Sequence, residues 1–240
     1  MGLFGFGKKP SPNPYTREDM QRDINPSRIN TEVYEGSYGS GLKPLQCAIS
    51  SGDASIVGEL IRNGADMYFK QSNGYLAIVN MLGGNNLSVL KEVINQGFDI
   101  NTCGEFGTIL HSAVQTHNPD LDLIRFLIKS GANVNSRGSQ NNGRTPVQEA
   151  ASDGNSNALQ LLIDAGGNVE TDSYNESPLF EAVLGMSAGV ALAFGGGNPK
   201  VENVRVLVNA GAKISNRIWD LSNEIGNEEV LQILKNARIS

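Results

Sequence analysis

Only two cysteines, Cys47 and Cys103, occur in the 240 residues. That is too few for a disulfide framework, and it points to a reducing, cytoplasmic compartment. Aromatic residues make up 6% of the chain and tryptophan occurs once, which excludes an aromatic-rich β core. No apolar run approaches the roughly 20 residues a membrane-spanning helix needs; the longest, Val190 to Phe194, falls far short. No secretory signal is legible, because Leu3 to Phe6 is too short for its apolar region and lysines follow. Cations are scarce as well, and the net charge is −6. Residues 1–40 balance at five bases and five acids, so the 14 bases and 20 acids of residues 41–240 hold all six excess negatives. Such a body excludes generic nucleic-acid binding, which draws its affinity from Lys and Arg on phosphates. It suits a basic protein partner.

Residues that carry chemistry are equally sparse. His117 has no cysteine or second histidine at metal-ligand spacing. The run Gly195 to Gly197 lacks the following Lys-Ser or Lys-Thr and the preceding strand of a phosphate cradle. Glu149 and Asp153, four apart on a predicted helix, could pair as acid and base, or simply solvate its outer face. No nucleophile elbow or zinc-protease motif is present. The sequence therefore predicts no catalytic residue, no metal and no cofactor.

What it does have is glycine in a fixed phrase. Asn63-Gly64-Ala65-Asp66-Met67, Gln96-Gly97-Phe98-Asp99-Ile100-Asn101 and Ser130-Gly131-Ala132-Asn133-Val134-Asn135 are followed by Ala165-Gly166-Gly167-Asn168-Val169 and Ala210-Gly211-Ala212-Lys213-Ile214. Their glycines lie 33, 34, 35 and 45 residues apart, the period of a stacked repeat array. Apolar stripes precede each glycine, as in Ile124, Leu127 and Ile128, at the spacing of one helix face. The glycine then ends that helix, being able to take the left-handed C-cap without steric cost. Earlier in each period Thr145-Pro146 and Ser177-Pro178 read as helix starts, since proline loses no hydrogen bond at the first turn and the residue before it caps. Two short helices cannot bury their apolar faces alone, so each unit needs its neighbours.

Lys43-Pro44-Leu45-Gln46-Cys47-Ala48, Thr108-Ile109-Leu110-His111-Ser112-Ala113, Thr145-Pro146-Val147-Gln148-Glu149-Ala150 and Ser177-Pro178-Leu179-Phe180-Glu181-Ala182 resemble the T-P-L-H-x-A helix start of ankyrin repeats. Leu76 to Met81 is a degenerate copy that has lost the proline. The resemblance, over residues 41–236, implies an all-α ankyrin-repeat α-solenoid with β-hairpin-like turns: five repeats at 41–72, 73–104, 105–140, 141–173 and 174–216, and a C-terminal cap at 217–240. In that cap Trp219 stands where the pattern has leucine. At the other end, residues 1–15 read as a disordered tail. Gly2 to Phe6 with Lys8-Lys9 could make a weak membrane contact or fill a partner groove, although Phe6 breaks the myristoylation pattern. Thr16 to Asp19 forms a capping box opening a helix with Met20 and Ile24 on one face, ended by Asn25-Pro26. Ile29-Asn30 and residues 35–41 then look like the hairpin after a glycine phrase, so 16–40 read as an N-terminal cap made from a truncated repeat.

The resemblance further implies that His111 hydrogen-bonds nearby backbone, and that the chain is a non-catalytic interaction module. It would grip a protein through projecting finger turns and the concave face of its first helices. Candidate contacts on the fingers are Tyr68, Phe69, Tyr75, Phe106, Tyr174, Arg137 and Arg144, with Asn142-Gly143 suited to a tight hairpin. The aromatic rings serve either as interface anchors or as packing between hairpins. Glu149 and Asp153 are candidates on the helices. Repeat five holds an insertion, residues 185–199, whose Val190 and Phe194 either form an interaction patch or pad the cap around Trp219. Two functions compete: a scaffold or adaptor, such as a bacterial effector, and an antitoxin-like neutraliser that plugs a cognate enzyme.

Overall fold

The computed structural model describes residues 16–31, 34–35, 41–70, 76, 78–79, 87–104, 107–115, 118–138, 143–153, 155–170, 177–185 and 200–239. Two compact units divide the chain at residues 1–112 and 113–240.

In the first unit, α1 (Arg17–Arg22) opens on the predicted capping box. The Asp19 amide donates to Thr16 Oγ1 at 3.1 Å, and the Asp19 carboxylate accepts the Thr16 amide at 3.0 Å. The Thr16 hydroxyl, donating to the Asp19 carboxylate at 2.8 Å, and then the Thr16 amide hold that carboxyl below its usual range. Met20 is buried, but α1 stops at Arg22, capped by Asp23, so Ile24 lies beyond the helix. The helix ends there because Asp23 is buried and takes the Arg28 guanidinium at 2.8 Å. Tyr34–Glu35 (β1) and Gly41–Leu42 (β2) pair antiparallel, Tyr34 opposite Leu42. Then α2 (Pro44–Ser51) and α3 (Ala54–Arg62) pack together, and α3 packs on α4 (Leu87–Asn95). The degenerate copy keeps its apolar role, with Leu76, Ile78 and Val79 buried. The unit boundary falls within α5 (Ile109–Val114).

The second unit continues with α6 (Leu121–Lys129), α7 (Pro146–Asp153), α8 (Ser156–Asp164), α9 (Pro178–Leu184), α10 (Lys200–Asn209), α11 (Asn216–Ile225) and α12 (Glu228–Ile239). Two rows result. First helices α7, α9 and α11 lie side by side, and so do second helices α6, α8, α10 and α12. The core between the rows is aliphatic, with Leu127, Val147, Leu159, Leu162, Leu179 and Leu207 fully buried.

Each glycine phrase closes its helix in one way. The Gly131 amide donates to Ile128 O at 3.1 Å and that of Ala132 to Leu127 O at 3.0 Å, with Gly131 at φ +91°. These are the two bonds of a Schellman cap. The same pair recurs at Gly64, Gly97, Gly166 and Gly211. The phrase's Asp or Asn then folds the chain by accepting the amide two residues on: Asp66 from Tyr68, Asp99 from Asn101 and Asn133 from Asn135.

Within each unit, neighbouring phrases are joined by the residue four after the glycine. Its side chain accepts the amide two after the next glycine. Tyr68 Oη takes Asp99 N–H at 3.2 Å, Asn135 Oδ1 takes Asn168 N–H at 2.8 Å, and Glu170 Oε1 takes Lys213 N–H at 2.6 Å. Asn30 does this too, although no glycine phrase precedes it. Its Oδ1 accepts from Asp66 at 2.8 Å and its Nδ2 donates to Gly64 O at 3.0 Å. Asn135 makes the same two-ended contact with Asn168 and, at 2.9 Å, Gly166 O. Asn30→Ala and Asn135→Ala should each lower unfolding free energy by about 1 kcal/mol. Urea melts showing a loss for Asn135→Ala alone would remove the equivalence.

One residue is displaced from its sequence-based assignment. Trp219 does not occupy the leucine position of the last unit. The helix is capped by Ser215, whose Oγ accepts the Ile218 amide at 3.2 Å. That frame turns Ile218 into the core, while Trp219 lies half-buried beneath the Arg238 guanidinium, 5.0 Å from the ring centre.

Candidate protein-binding surface

The first helices start alike. Thr145 Oγ1 accepts the Gln148 amide at 3.3 Å, and Gln148 Oε1 accepts that of Thr145 at 2.9 Å. Gln46 does the same for Lys43. At the equivalent place His111 is fully buried and its Nδ1 accepts the Thr108 amide at 3.1 Å. Because that amide is a donor, Nδ1 carries no proton. Here the histidine is a helix-start residue.

Just before Thr145, the third finger closes by a bond from Gly138 N–H to Arg144 O at 2.9 Å. Arg137 ties its sides together, donating to Gly143 O at 3.2 Å. Gly143 stands at φ +70°, as a tight turn requires. The closure aims Arg144 back over its own helix start. Its guanidinium bonds to Glu181 Oε2 on α9 and stands 3.7 Å from Glu149 Oε2 on α7. The side chains of Arg144, Glu149 and Glu181 keep only 26%, 6% and 9% of their surface accessible. Glu149 is thus not the solvated helix carboxylate that its spacing with Asp153 suggested. It is buried because Arg144 covers it, and Asp153 alone is exposed at the end of α7. Arg144 thus bridges carboxylates held on two adjacent first helices.

In the first unit the rings are engaged in packing. Tyr68 stacks on Phe98 of the next phrase, with centroids 5.2 Å apart and planes 18° off parallel, yet stays 43% exposed. Phe69 is half-buried beneath Lys43, whose Nζ sits 3.6 Å from the ring centre. Cys47 is buried, Cys103 exposed, and neither is in a disulfide. Tyr75, Phe106, Tyr174, Val190 and Phe194 lie outside the described residues. Among the described residues no group of three or more His, Cys, Asp or Glu is placed to hold a metal. No helix among them is long and apolar enough to cross a membrane.

A family model described as ankyrin repeats in three copies matches residues 45–138 and 118–218. The chain belongs to the ankyrin-repeat family. The Vapyrin-like protein of Medicago truncatula is 31% identical over 125 residues, 52% of this chain and 26% of that one. Alpha-latrocrustotoxin-Lt1a of Latrodectus tredecimguttatus is 38% identical over 101 residues, 41% of this chain and 7% of the toxin. The chain thus spans about a quarter or less of the length of these relatives. The human ASB11 ankyrin repeat domain superposes with a TM-score of 0.63 at 17% identity, covering 82% of this chain and 84% of that one. The fold is the ankyrin-repeat solenoid. Ankyrin repeats generally mediate protein–protein interaction and are typically non-catalytic.

In the ankyrin-repeat frame, Glu149 and Glu181 hold the same place, the x of T-P-L-H-x-A. Glu181 was overlooked in the sequence, although aligning the two helix starts puts the acids in one row. Phe180 replaces the motif's histidine and cannot accept the N-cap amide. It is covered by Arg217, 4.6 Å from its ring centre.

Proposed function

We propose that this ankyrin-repeat chain is a non-catalytic scaffold or adaptor that binds a basic protein partner through finger turns and first helices. The acidic row of Glu149 and Glu181, held on neighbouring first helices, is the observation that carries this reading. It sits in the part of the chain that holds all the excess negative charge. A basic side chain approaching the row meets carboxylates in a partly dry setting, where electrostatic attraction exceeds that in bulk water. Asp153, on the same helix, and Arg137, at the finger, border it in sequence; Tyr68 offers a half-accessible ring of the kind favoured at interfaces.

The same reading takes the five repeats and two caps at the boundaries given above, in the cytoplasm, with the N-terminal tail as a secondary membrane or partner contact. The neutraliser alternative uses the same acidic row. It differs in that the captured protein is an enzyme whose turnover stops on binding.

Affinity capture with the intact chain, followed by cross-link mapping, tests the proposal. The expected partner is basic, cross-links to the finger turns and first helices, and binds at least tenfold more weakly to Asp153→Lys. Cross-links confined to the second-helix row, or turnover of a substrate by the purified chain, would overturn it.

A further inference from the structure

A groove of about 690 Å³ opens where α10, the turn after Gly211 and α12 meet. Its floor is aliphatic, built from Val208, Ile214 and Ile233, and Arg205, Lys213 and Arg238 contribute its charge. Among the described residues no carboxylate and no aromatic ring lines it. In a chain of net charge −6, that is a local reversal of sign.

The three cations are not equally available. Arg205 is offset by Glu202 at 3.2 Å and Glu229 at 2.9 Å, outside the lining. Lys213 and Arg238 form no ion pair among the described residues. Glu170 reaches Lys213 through its backbone amide. Arg238 is held in place without being neutralised, lying over the Trp219 ring at 5.0 Å and donating to Asn216 Oδ1 at 3.3 Å.

We infer that this groove binds an acidic segment of a partner protein, one that seats an aliphatic side chain on the floor and places carboxylates at Lys213 and Arg238. The volume is that of an ordinary binding pocket. Charge complementarity selects the sign of the occupant. The aliphatic floor favours a peptide over a nucleic acid strand, whose bases are held by stacking on aromatic rings. The site is separate from the acidic row of α7 and α9 and takes a ligand of opposite charge.

Trp219 is the single tryptophan of the chain and touches Arg238, so its emission reports directly on occupancy. The probe is a capped decapeptide of alternating glutamate and leucine, titrated into the full chain at low salt. A saturable change in Trp219 emission is expected, weakened at least tenfold in Lys213→Gln and unchanged in Asp153→Lys. For Arg238→Gln, which alters the reporter itself, anisotropy of a labelled peptide should show the same loss. Absence of saturable binding, or binding to both groove variants as tight as to the parent chain, overturns the inference. So does tighter binding of a ten-nucleotide oligouridylate that is lost in those variants, which would make the groove a nucleic-acid site. Because the acidic row plays no part in this assay, failure here leaves the scaffold proposal standing.

Discussion

Replacing Arg144 by methionine is expected to lower unfolding free energy by about 3 kcal/mol, the low end for breaking a buried ion pair. Methionine keeps much of the aliphatic stem but leaves Glu149 and Glu181 facing each other on adjacent helices, each with less than a tenth of its side chain accessible. The loss comes from stranding two buried carboxylates, since an ion pair of this kind contributes little net stability against a well-packed apolar substitute. The triple variant Arg144→Met, Glu149→Gln, Glu181→Gln should therefore recover to within about 1 kcal/mol of the parent. Urea denaturation measures both. If the triple variant is as unstable as the single, packing of the arginine stem holds this region together, and the electrostatic account of the cluster fails.

Gly107→Ala should be far more damaging than Gly64→Ala in the same unit. Gly107 stands at φ +114°, and a methyl group there would sit 2.6 Å from His111 Cγ and 2.8 Å from Nδ1. The ring cannot withdraw, being fully buried and fixed by the Thr108 amide. Backbone strain of about 1–2 kcal/mol adds to overpacking of about 1–3 kcal/mol, for a loss of about 3 kcal/mol. Gly64→Ala is the control. At φ +96° it is strained in the same way, but nothing lies within 4 Å of the added methyl. Its cost should stay near 1 kcal/mol. Equal thermal or urea midpoints for the two variants would show that strain alone governs both.

Several features were legible because they close within a few residues. The Schellman caps after Gly64, Gly97, Gly131, Gly166 and Gly211 join atoms no more than five residues apart. The capping box at Thr16 and the helix starts at Thr145 and Ser177 span three. Residue type and spacing suffice for such bonds, and their recurrence at one period was enough to predict paired helices and the family. The function class follows from the same repetition.

Tertiary structure alone decided what faces what one period away. Tyr68 stacks on Phe98, Asn30 seats on Gly64 and Asp66, and Arg144 reaches Glu181, across 30 to 37 residues. Glu149 reads as a surface carboxylate in sequence, yet it is buried, with Arg144 of finger three 3.7 Å from it. The Ser215 cap likewise puts Ile218, at the motif's histidine place, in the core and leaves Trp219 half-buried beside Arg238. Local bonds depend on the order of residues along the chain. Burial and charge pairing depend on which neighbour the stacked repeats bring alongside, and that is settled only when the stack is complete.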